Sequence, residues 1–148
     1  MPPFVIFLIG SLVVAFTRGY VRRVVLLAVP VLGALNLLNV QEGTVIQVEV
    51  LGYTLLPFVV TSLGMLFGWL FHLAAFLANL YALHLDEGDH PGVQHTSAML
   101  YAGAALGAVF SGDLISLFVF WELLAFTSVF LIWARGTESS LRSGFRYL

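Results

Sequence analysis

Residues 114–134 read LISLFVFWELLAFTSVFLIWA, an unbroken apolar stretch with one charged residue, Glu122. A helix needs about 20 apolar residues to cross the hydrocarbon core of a bilayer, so this stretch predicts a membrane-spanning helix. The stretch is continuously apolar rather than alternating, which argues against the strands of a membrane barrel. Similar stretches recur along the chain and decide the fold class.

The composition leads to the same class. Of the 148 residues, 60% are hydrophobic and only 9% are charged, whereas an ordinary soluble domain carries roughly 25% charged residues. So few charges cannot cover a water-facing surface, and we expect lipid to solvate the chain. The net charge of −2 gives no sign of nucleic-acid binding. The absence of cysteine excludes disulfides, thiolate metal sites and cysteine nucleophiles.

Five segments are predicted to span the membrane, the first two at the short end of the usual range. They are residues 2–17, 24–40, 58–83, 93–110 and 114–134. Together they predict an all-α helix bundle, a single transmembrane domain over residues 1–148. The first segment has no basic region before it and no clear cleavage site after it, so we read it as a retained helix.

The connections predict the orientation. Residues 41–57 contain an alternating polar and apolar stretch, which favours a short strand or hairpin at the surface, and residues 84–92 form a polar, turn-rich loop. All the basic residues are arginines, in the first connection and the tail: Arg18, Arg22, Arg23, Arg135, Arg142 and Arg146. Five spans place them on one side, which the positive-inside rule assigns to the cytoplasm. The sequence thus predicts a multi-pass protein of the cell (inner) membrane with its N-terminus outside and its C-terminal end cytoplasmic.

Glu122 is the main candidate for chemistry. At 1.5 Å per residue it lies roughly 12 Å from Leu114 and roughly 18 Å from Ala134, close to the bilayer middle. A charge there costs at least about 2.5–3.5 kcal/mol, so the carboxyl group must face protein or water, pair with a cation, or take up a proton. Its neighbours one turn away on the same helix are all apolar, so any partner belongs to another helix. The structural alternative is a protonated glutamate bonded to a neighbouring backbone.

His72 and Asp113 are weaker candidates. His72 lies near the middle of the third segment and is a candidate relay to Glu122, because imidazole titrates near neutrality. A neutral histidine bonded to a hydroxyl or carbonyl group of a neighbouring helix is the favoured alternative. Asp113 precedes the fifth segment, where an acidic residue caps the helix and complements its dipole.

Other polar and small residues suggest packing rather than chemistry. A set of acidic and histidine residues resembles a metal loop, but its spacing matches no metal motif, and no metal or other cofactor is predicted. These residues are His84, Asp86, Glu87, Asp89, His90 and His95. Gly64 and Gly68, and likewise Gly103 and Gly107, have the spacing of close helix packing. Asn36, Asn39 and Asn79 are expected to bond across helices, with the lining of a wet path as the alternative.

Three stretches carry a resemblance to a known family. The first is Leu51-Gly-Tyr-Thr-Leu-Leu-Pro with Leu66-Phe-Gly-Trp and Ala78-Asn-Leu-Tyr-Ala. The second is Gly112-Asp-Leu-Ile-Ser-Leu-Phe-Val-Phe-Trp-Glu-Leu, and the third is the tail Gly144-Phe-Arg-Tyr-Leu. They resemble the antiporter-like subunits shared by Mrp-type cation/proton antiporters and complex I. The second stretch, the most specific, looks most like the D-type subunit of the Mrp antiporters or the related ion-translocating subunit of membrane-bound hydrogenases.

The resemblance covers the N-terminal third of a family member of about fourteen helices and implies that the tail begins a sixth helix. It implies that Glu122 is an essential proton-path residue that pairs with a lysine on the seventh helix. The chain contains no lysine. The expectation is therefore a fragment or split piece of a proton-translocating subunit. Its partners would be further subunits of a membrane complex, the lipid bilayer, protons and, as a candidate coupled ion, Na⁺.

Three alternatives remain at this point. The chain could serve a complex I or membrane-bound hydrogenase rather than an antiporter, since these relatives share the glutamate. It could be a truncated structural or assembly protein without transport activity. An intramembrane enzyme using His72, Glu122 or the histidine-rich loop is the third, although the sequence offers neither a nucleophile nor a metal set for it.

Overall fold

The computed structural model describes residues 1–83 and 91–134, and within them it consists of five helices and one β-hairpin. The elements are α1 (Pro3–Phe16), α2 (Gly19–Leu38), β1 (Val45–Val50), β2 (Tyr53–Val59), α3 (Ser62–Ala82), α4 (Pro91–Phe110) and α5 (Leu114–Trp133). The polar loop and the start of a sixth helix, both predicted above, lie outside the described residues. The helical membrane fold is confirmed in this coarse form.

Three of the helices, rather than the predicted five, are long and apolar enough to cross a membrane in the part of the chain that the structure describes: α2, α3 and α5. Helix α1 has 14 residues, about 21 Å at 1.5 Å per residue, whereas the hydrocarbon core is about 30 Å thick. Helix α4 carries four consecutive polar residues, 94–97, in its first turns, which lowers its mean hydropathy. The prediction of five spans was therefore too high by this criterion.

The predicted surface hairpin is confirmed, and it is longer than expected. Strands β1 and β2 pair antiparallel, with Val45 opposite Val59 and Val50 opposite Tyr53. The two-residue turn, Leu51 and Gly52, has φ angles of 52° and 82°, as in the type I′ turns whose twist suits a hairpin. Because Phe58 and Val59 pair with β1, α3 begins at Ser62, not at residue 58.

Helix α2 begins at Gly19, five residues before the predicted start, so Arg22 and Arg23 are helical rather than part of a connection. The Arg22 guanidinium group donates hydrogen bonds from Nε and Nη2 to the Thr17 carbonyl group, at 2.9 and 2.6 Å. A long arginine side chain can thus bury its stem while its charged end is bonded at the helix start.

Helix α4 is the centre of the bundle, packing against α1, α3 and α5, while α1 and α3 each also pack against α2. The glycines of the two close-packing motifs make these approaches possible. A Cβ at Gly103 would lie 3.0 Å from Phe7 Cβ of α1, and one at Gly107 would overlap the Phe120 ring of α5. Gly68 of α3 likewise receives the Phe110 ring of α4, where a Cβ would lie 2.8 Å from Cζ.

Pro30 interrupts the hydrogen bonds of α2, because proline has no N–H to donate to the carbonyl group four residues earlier. That carbonyl belongs to Leu26, and it accepts a 2.8 Å hydrogen bond from Asn79 Nδ2 of α3. Asn79 therefore bonds across helices, as expected. Asn36 bonds the Met1 carbonyl group, whereas Asn39 bonds Leu35 of its own helix.

Candidate functional site on the outward face of helix α5

Asp113 determines where α5 begins. Its Oδ1 accepts hydrogen bonds from the backbone N–H groups of Ile115 and Ser116, both at 2.9 Å, which satisfies donors that have no partner within the helix. Its Oδ2 accepts from Ser116 Oγ and from the Leu56 N–H of β2, both at 2.6 Å. Asp113 is thus the N-cap residue of α5 and also holds the hairpin to it.

These bonds also set the protonation behaviour of Asp113. The Ser116 side-chain hydrogen bond first, and then the backbone bonds from Ser116, Leu56 and Ile115, lower the pKa of Asp113 below its ordinary value of 3.8; its slight burial acts the other way. Hydrogen bonds to the charged form favour that form. Asp113 therefore stays ionised at neutral pH and acts as a fixed anchor.

The inner face of α5 is anchored by Phe120. The Phe120 ring lies against Gly107 of α4, and its centroid is 4.9 Å from that of Phe4 of α1 in an edge-to-face arrangement. Ser116 and Thr127, one and two turns away on the same side, are buried as well. This stripe fixes the rotation of α5 about its axis.

Glu122 lies on the opposite side of α5. Two residues after Phe120, it is about 200° around the helix from that buried ring. Of its neighbours one turn away, Phe118, Val119 and Phe126 are exposed, Phe118 by 62%, and Ala125 is half-buried. Glu122 itself is half-buried. Glu122 therefore lies on the side of α5 away from Phe120, among large apolar side chains, although Val129, two turns further on this side, is buried.

No hydrogen bond or ion pair joins Glu122 to any other residue in the described ranges 1–83 and 91–134. The structural alternative required a hydrogen bond from Glu122 to a neighbouring backbone, and the described residues contain no such bond. The residue lies in the middle of one of the three apolar spans, where a carboxylate without a partner is costly. A half-buried carboxyl group of this kind can hold a proton, or pair with a cation brought to the outer face.

His72 is at the centre of the α1, α2 and α3 packing and is 2% exposed. Its Nδ1 lies 2.6 Å from the Gly68 carbonyl oxygen of its own helix, which makes Nδ1 the donor, because a carbonyl group only accepts. The Phe7 ring of α1 packs edge-on at 5.3 Å between centroids. A Cβ at Gly33 of α2 would lie only 2.5 Å from His72 Nε2.

His72 and Glu122 are not brought together by this fold. His72 contacts α1 and α2, whereas Glu122 faces outward from α5, and α4 packs between α3 and α5. The hydrogen bond of His72 runs to its own helix rather than to a neighbouring one. Its Nε2 is buried and has no partner within the described part of the chain.

Two structural roles went unrecognised in the sequence: the burial of Arg22 and the Leu26 carbonyl group as the partner of Asn79. Arg22 is almost fully buried and lies where α4 begins, since a Cβ at Gly92 would be 3.4 Å from its Nη2. The link between Asn79 and Leu26 is the second. Pro30 in the middle of an apolar segment was the available signal, because it frees a carbonyl group at a known offset.

The residues that the structure describes contain no group of three or more histidine, cysteine or acidic side chains that could hold a metal ion. Of the histidine-rich set considered above, only His95 lies in the described ranges, buried on α4. The other five members fall on residues 84–90, outside the described residues.

Comparison with known proteins bears on the function of this face. No protein-family model matches the chain. Curated relatives match it with 38% identity over 72 residues, which is 48% of this chain. The chain is similar to a Na⁺/H⁺ antiporter subunit. The relatives are Na(+)/H(+) antiporter subunit A1 from Staphylococcus aureus strains bovine RF122 / ET3-1, JH9 and Newman.

This similarity supports the antiporter-type family suggested by the sequence motifs, and the apolar helices agree with a membrane-embedded protein. The matched relatives are named as antiporter subunits, which agrees with the transporter expected from the sequence rather than with the enzyme alternative. The matched relatives are A1 subunits, so the likeness to a D-type subunit finds no specific support. The chain spans only 9% of the length of these relatives.

Proposed function

We propose that this chain forms part of a cation/proton antiporter subunit in which Glu122 is the intramembrane proton carrier. The observation that carries the proposal is the position of that carboxyl group. It is half-buried on the outward face of a spanning helix, without a hydrogen bond or ion pair in the described residues. Intramembrane carboxylates are functional by default because they are costly to keep.

The chemistry follows from two opposing effects on one carboxyl group. Desolvation in the bilayer favours the neutral acid, whereas a cation brought within about 4–6 Å favours the carboxylate. Movement or hydration of that cation would therefore load and release a proton at Glu122. The described face offers only apolar neighbours, so the cation belongs to a further membrane helix, in the same subunit or another.

The substrates in this proposal are protons and Na⁺, taken from the name of the matched relatives. Those relatives are A1 subunits, which favours an A-type over the D-type assignment that the motif suggested. A subunit of complex I or of a membrane-bound hydrogenase is the alternative within transport. The neighbouring genes discriminate between them, since antiporter, quinone-oxidoreductase and hydrogenase subunits have different partners.

His72 has no proton-transfer step in this proposal. Its contacts to Phe7 and Gly33 give it a packing role between α1, α2 and α3. Protonation would add a second N–H donor at Nε2, which faces Gly33 and has no acceptor among the described residues. A relay histidine would need an acceptor there.

The proposal keeps the orientation predicted from charge. Arg22 and the start of α4 are at one end of the bundle, and the hairpin with Asp113 is at the other. We assign the arginine end to the cytoplasm, because arginines in short loops are retained there. The hairpin end then faces outward.

The test is cation/proton exchange by the assembled antiporter in inverted membrane vesicles, with Glu122→Gln and Glu122→Asp. Glutamine keeps the size of the side chain but cannot carry a proton, so exchange should be lost, while aspartate should retain part of it. Glu49→Gln, the same substitution at an exposed glutamate of the hairpin outside the span, is the matched control for expression. Full exchange by Glu122→Gln at normal subunit levels would remove Glu122 from the proton path.

A further inference from the structure

The β-hairpin has one apolar and one polar face. Residues directly opposite in an antiparallel pair share a face, so the pairs Val48 with Leu55 and Val50 with Tyr53 lie together. Alternation along β1 adds Ile46 to this face. Its partner Phe58 lies beyond a register shift between Ile46 and Val48, where β2 contains one extra residue. Glu49 and Thr54 pair on the other face. The hairpin therefore presents an apolar surface along its whole length.

Only the base of this apolar face is covered. Phe58 is buried on the bundle, with ring centroids 6.3 Å from Phe4 and 5.2 Å from Phe110. At the other end of the same face, Tyr53 is 67% exposed, and Leu51 in the adjoining turn is 95% exposed. The face that packs on the bundle core thus continues, uncovered, beyond the bundle.

The direction and length of the overhang follow from the anchor at Asp113. Strand β2 runs from Phe58, above α1 and α4, to Leu56 at the start of α5. Tyr53 is three residues further, or about 10 Å past α5 at about 3.3 Å per residue. Neighbouring packed helices are about 8–10 Å apart. The overhang is therefore as wide as one additional helix.

Leu51 carries a conformational cost in this position. Its φ of 52° lies in the left-handed region, which a bulky side chain rarely adopts and which glycine, asparagine or aspartate normally occupies in such turns. Because Leu51 is also almost fully exposed, contacts with the described residues do not offset this conformational cost. An apolar partner at the tip would explain why it is there.

We propose that the hairpin tip and the outward face of α5 form a docking surface for one further apolar membrane helix, whose end packs beneath Val50, Leu51 and Tyr53. The lower part of this surface is α5 itself, where Leu114 is 83% exposed and Phe118 lies one turn further. The hairpin covers the end of the docked helix, and α5 packs along its side.

Glu122 is the reason for choosing a helix rather than lipid as the occupant. It lies one turn beyond Phe118 on the same side of α5, and a carboxyl group within a span faces protein or water, not hydrocarbon. The choice of a helix as the occupant rests on the proposed function in one respect, since it takes the Glu122 face to be covered by protein. The docking itself requires no proton transfer.

Photo-cross-linking of the full chain in membranes of its native host tests the inference. A benzophenone amino acid is introduced singly at Tyr53, at Phe118 and, as the matched control on the polar hairpin face, at Thr54. Adducts are mapped by mass spectrometry. We expect the Tyr53 and Phe118 probes to attach to the same apolar segment of about 20 residues, Tyr53 near its end and Phe118 further along, and the Thr54 probe to give no such adduct.

Three outcomes would overturn the inference. They are lipid adducts alone, adducts between two copies of this chain, and an equal yield from the Thr54 probe. A second variant, Leu51→Asn, relieves the turn and removes the apolar tip, so the chain should fold while the Tyr53 adduct falls several-fold and the Phe118 adduct persists. An unchanged Tyr53 adduct in Leu51→Asn would also contradict docking at the tip.

The Glu122→Gln variant separates this inference from the proposed function. Both adducts should survive that substitution, because glutamine retains the shape of the outward face. Normal cation/proton exchange by Glu122→Gln, with the adducts in place, would refute the proton-carrier role and leave the docking surface standing. If the unsubstituted chain gave no adducts and Glu122→Gln lost exchange, the docking surface would be refuted and the proton-carrier role would stand.

Discussion

The backbone N–H of Leu56 donates a 2.6 Å hydrogen bond to Oδ2 of Asp113, 57 residues further along the chain. A second bond, from the Gly112 N–H to the Leu56 carbonyl group at 2.8 Å, completes the link. One carboxylate thus caps α5 and positions β2 above it. The hairpin and the helix that carries Glu122 are therefore expected to behave as one structural unit.

Asp113→Asn should separate these two roles. Asparagine caps a helix about as well as aspartate, but its amide group replaces the acceptor that Leu56 uses. Leaving that N–H without its charged partner should lower the free energy of unfolding by about 1–2 kcal/mol. Thermal unfolding followed by circular dichroism in detergent micelles measures this. Ser128→Ala, which removes only a bond within α5, is the control, and an equal loss in both variants would argue against the link.

Acidification should weaken the same link. Because the Ser116 side chain and the backbone donors lower the pKa of Asp113 in the folded chain, the folded state binds this proton less readily than the unfolded state. The stabilisation is complete above the ordinary value of 3.8 and is lost as the pH falls below it through the folded pKa. The difference in melting temperature between the wild-type chain and Asp113→Asn should shrink over that range. A constant difference would contradict this assignment.

The bond between Asn79 and the Leu26 carbonyl group predicts coupling with Pro30. Asn79→Leu should cost about 1 kcal/mol, a typical value for a hydrogen bond between membrane helices. In a Pro30→Ala background, residue 30 regains an N–H that can bond Leu26 within α2, so Asn79→Leu should cost clearly less. A double-mutant cycle on unfolding in micelles measures the difference. Additive effects would show that Asn79 acts independently of Pro30.

Gly33→Ala should destabilise the contact between α2 and α3, because its Cβ would lie 2.5 Å from His72 Nε2 and 3.0 Å from Phe7 Cε2. Overpacking of this kind costs about 1–3 kcal/mol. His72→Ala in the same chain opens the space and should recover part of that loss. If the double variant is as unstable as the sum of the two single variants, His72 is not the group that limits this approach.

The hairpin shows how far the sequence alone could be read. Alternation over residues 44–50 indicated a strand at the surface, but Phe58 and Val59 looked like the start of α3. They belong to β2 because they pair with β1. Their partners lie more than ten residues earlier in the chain, and a local sequence pattern does not report pairing over that distance. Arg22 is a similar case, since its charge indicated a connection, whereas it lies in the first turn of α2.

The sequence by itself determined that the chain is a helical membrane protein and that Glu122 lies within an apolar span, because hydrocarbon admits few charges. It also indicated which glycines would carry close packing. Only the tertiary structure decided which way Glu122 faces, that His72 lies across α4 from it, and that Asp113 joins two elements. Those relationships depend on the rotation of each helix about its axis, which long-range contacts such as Phe120 with Phe4 determine.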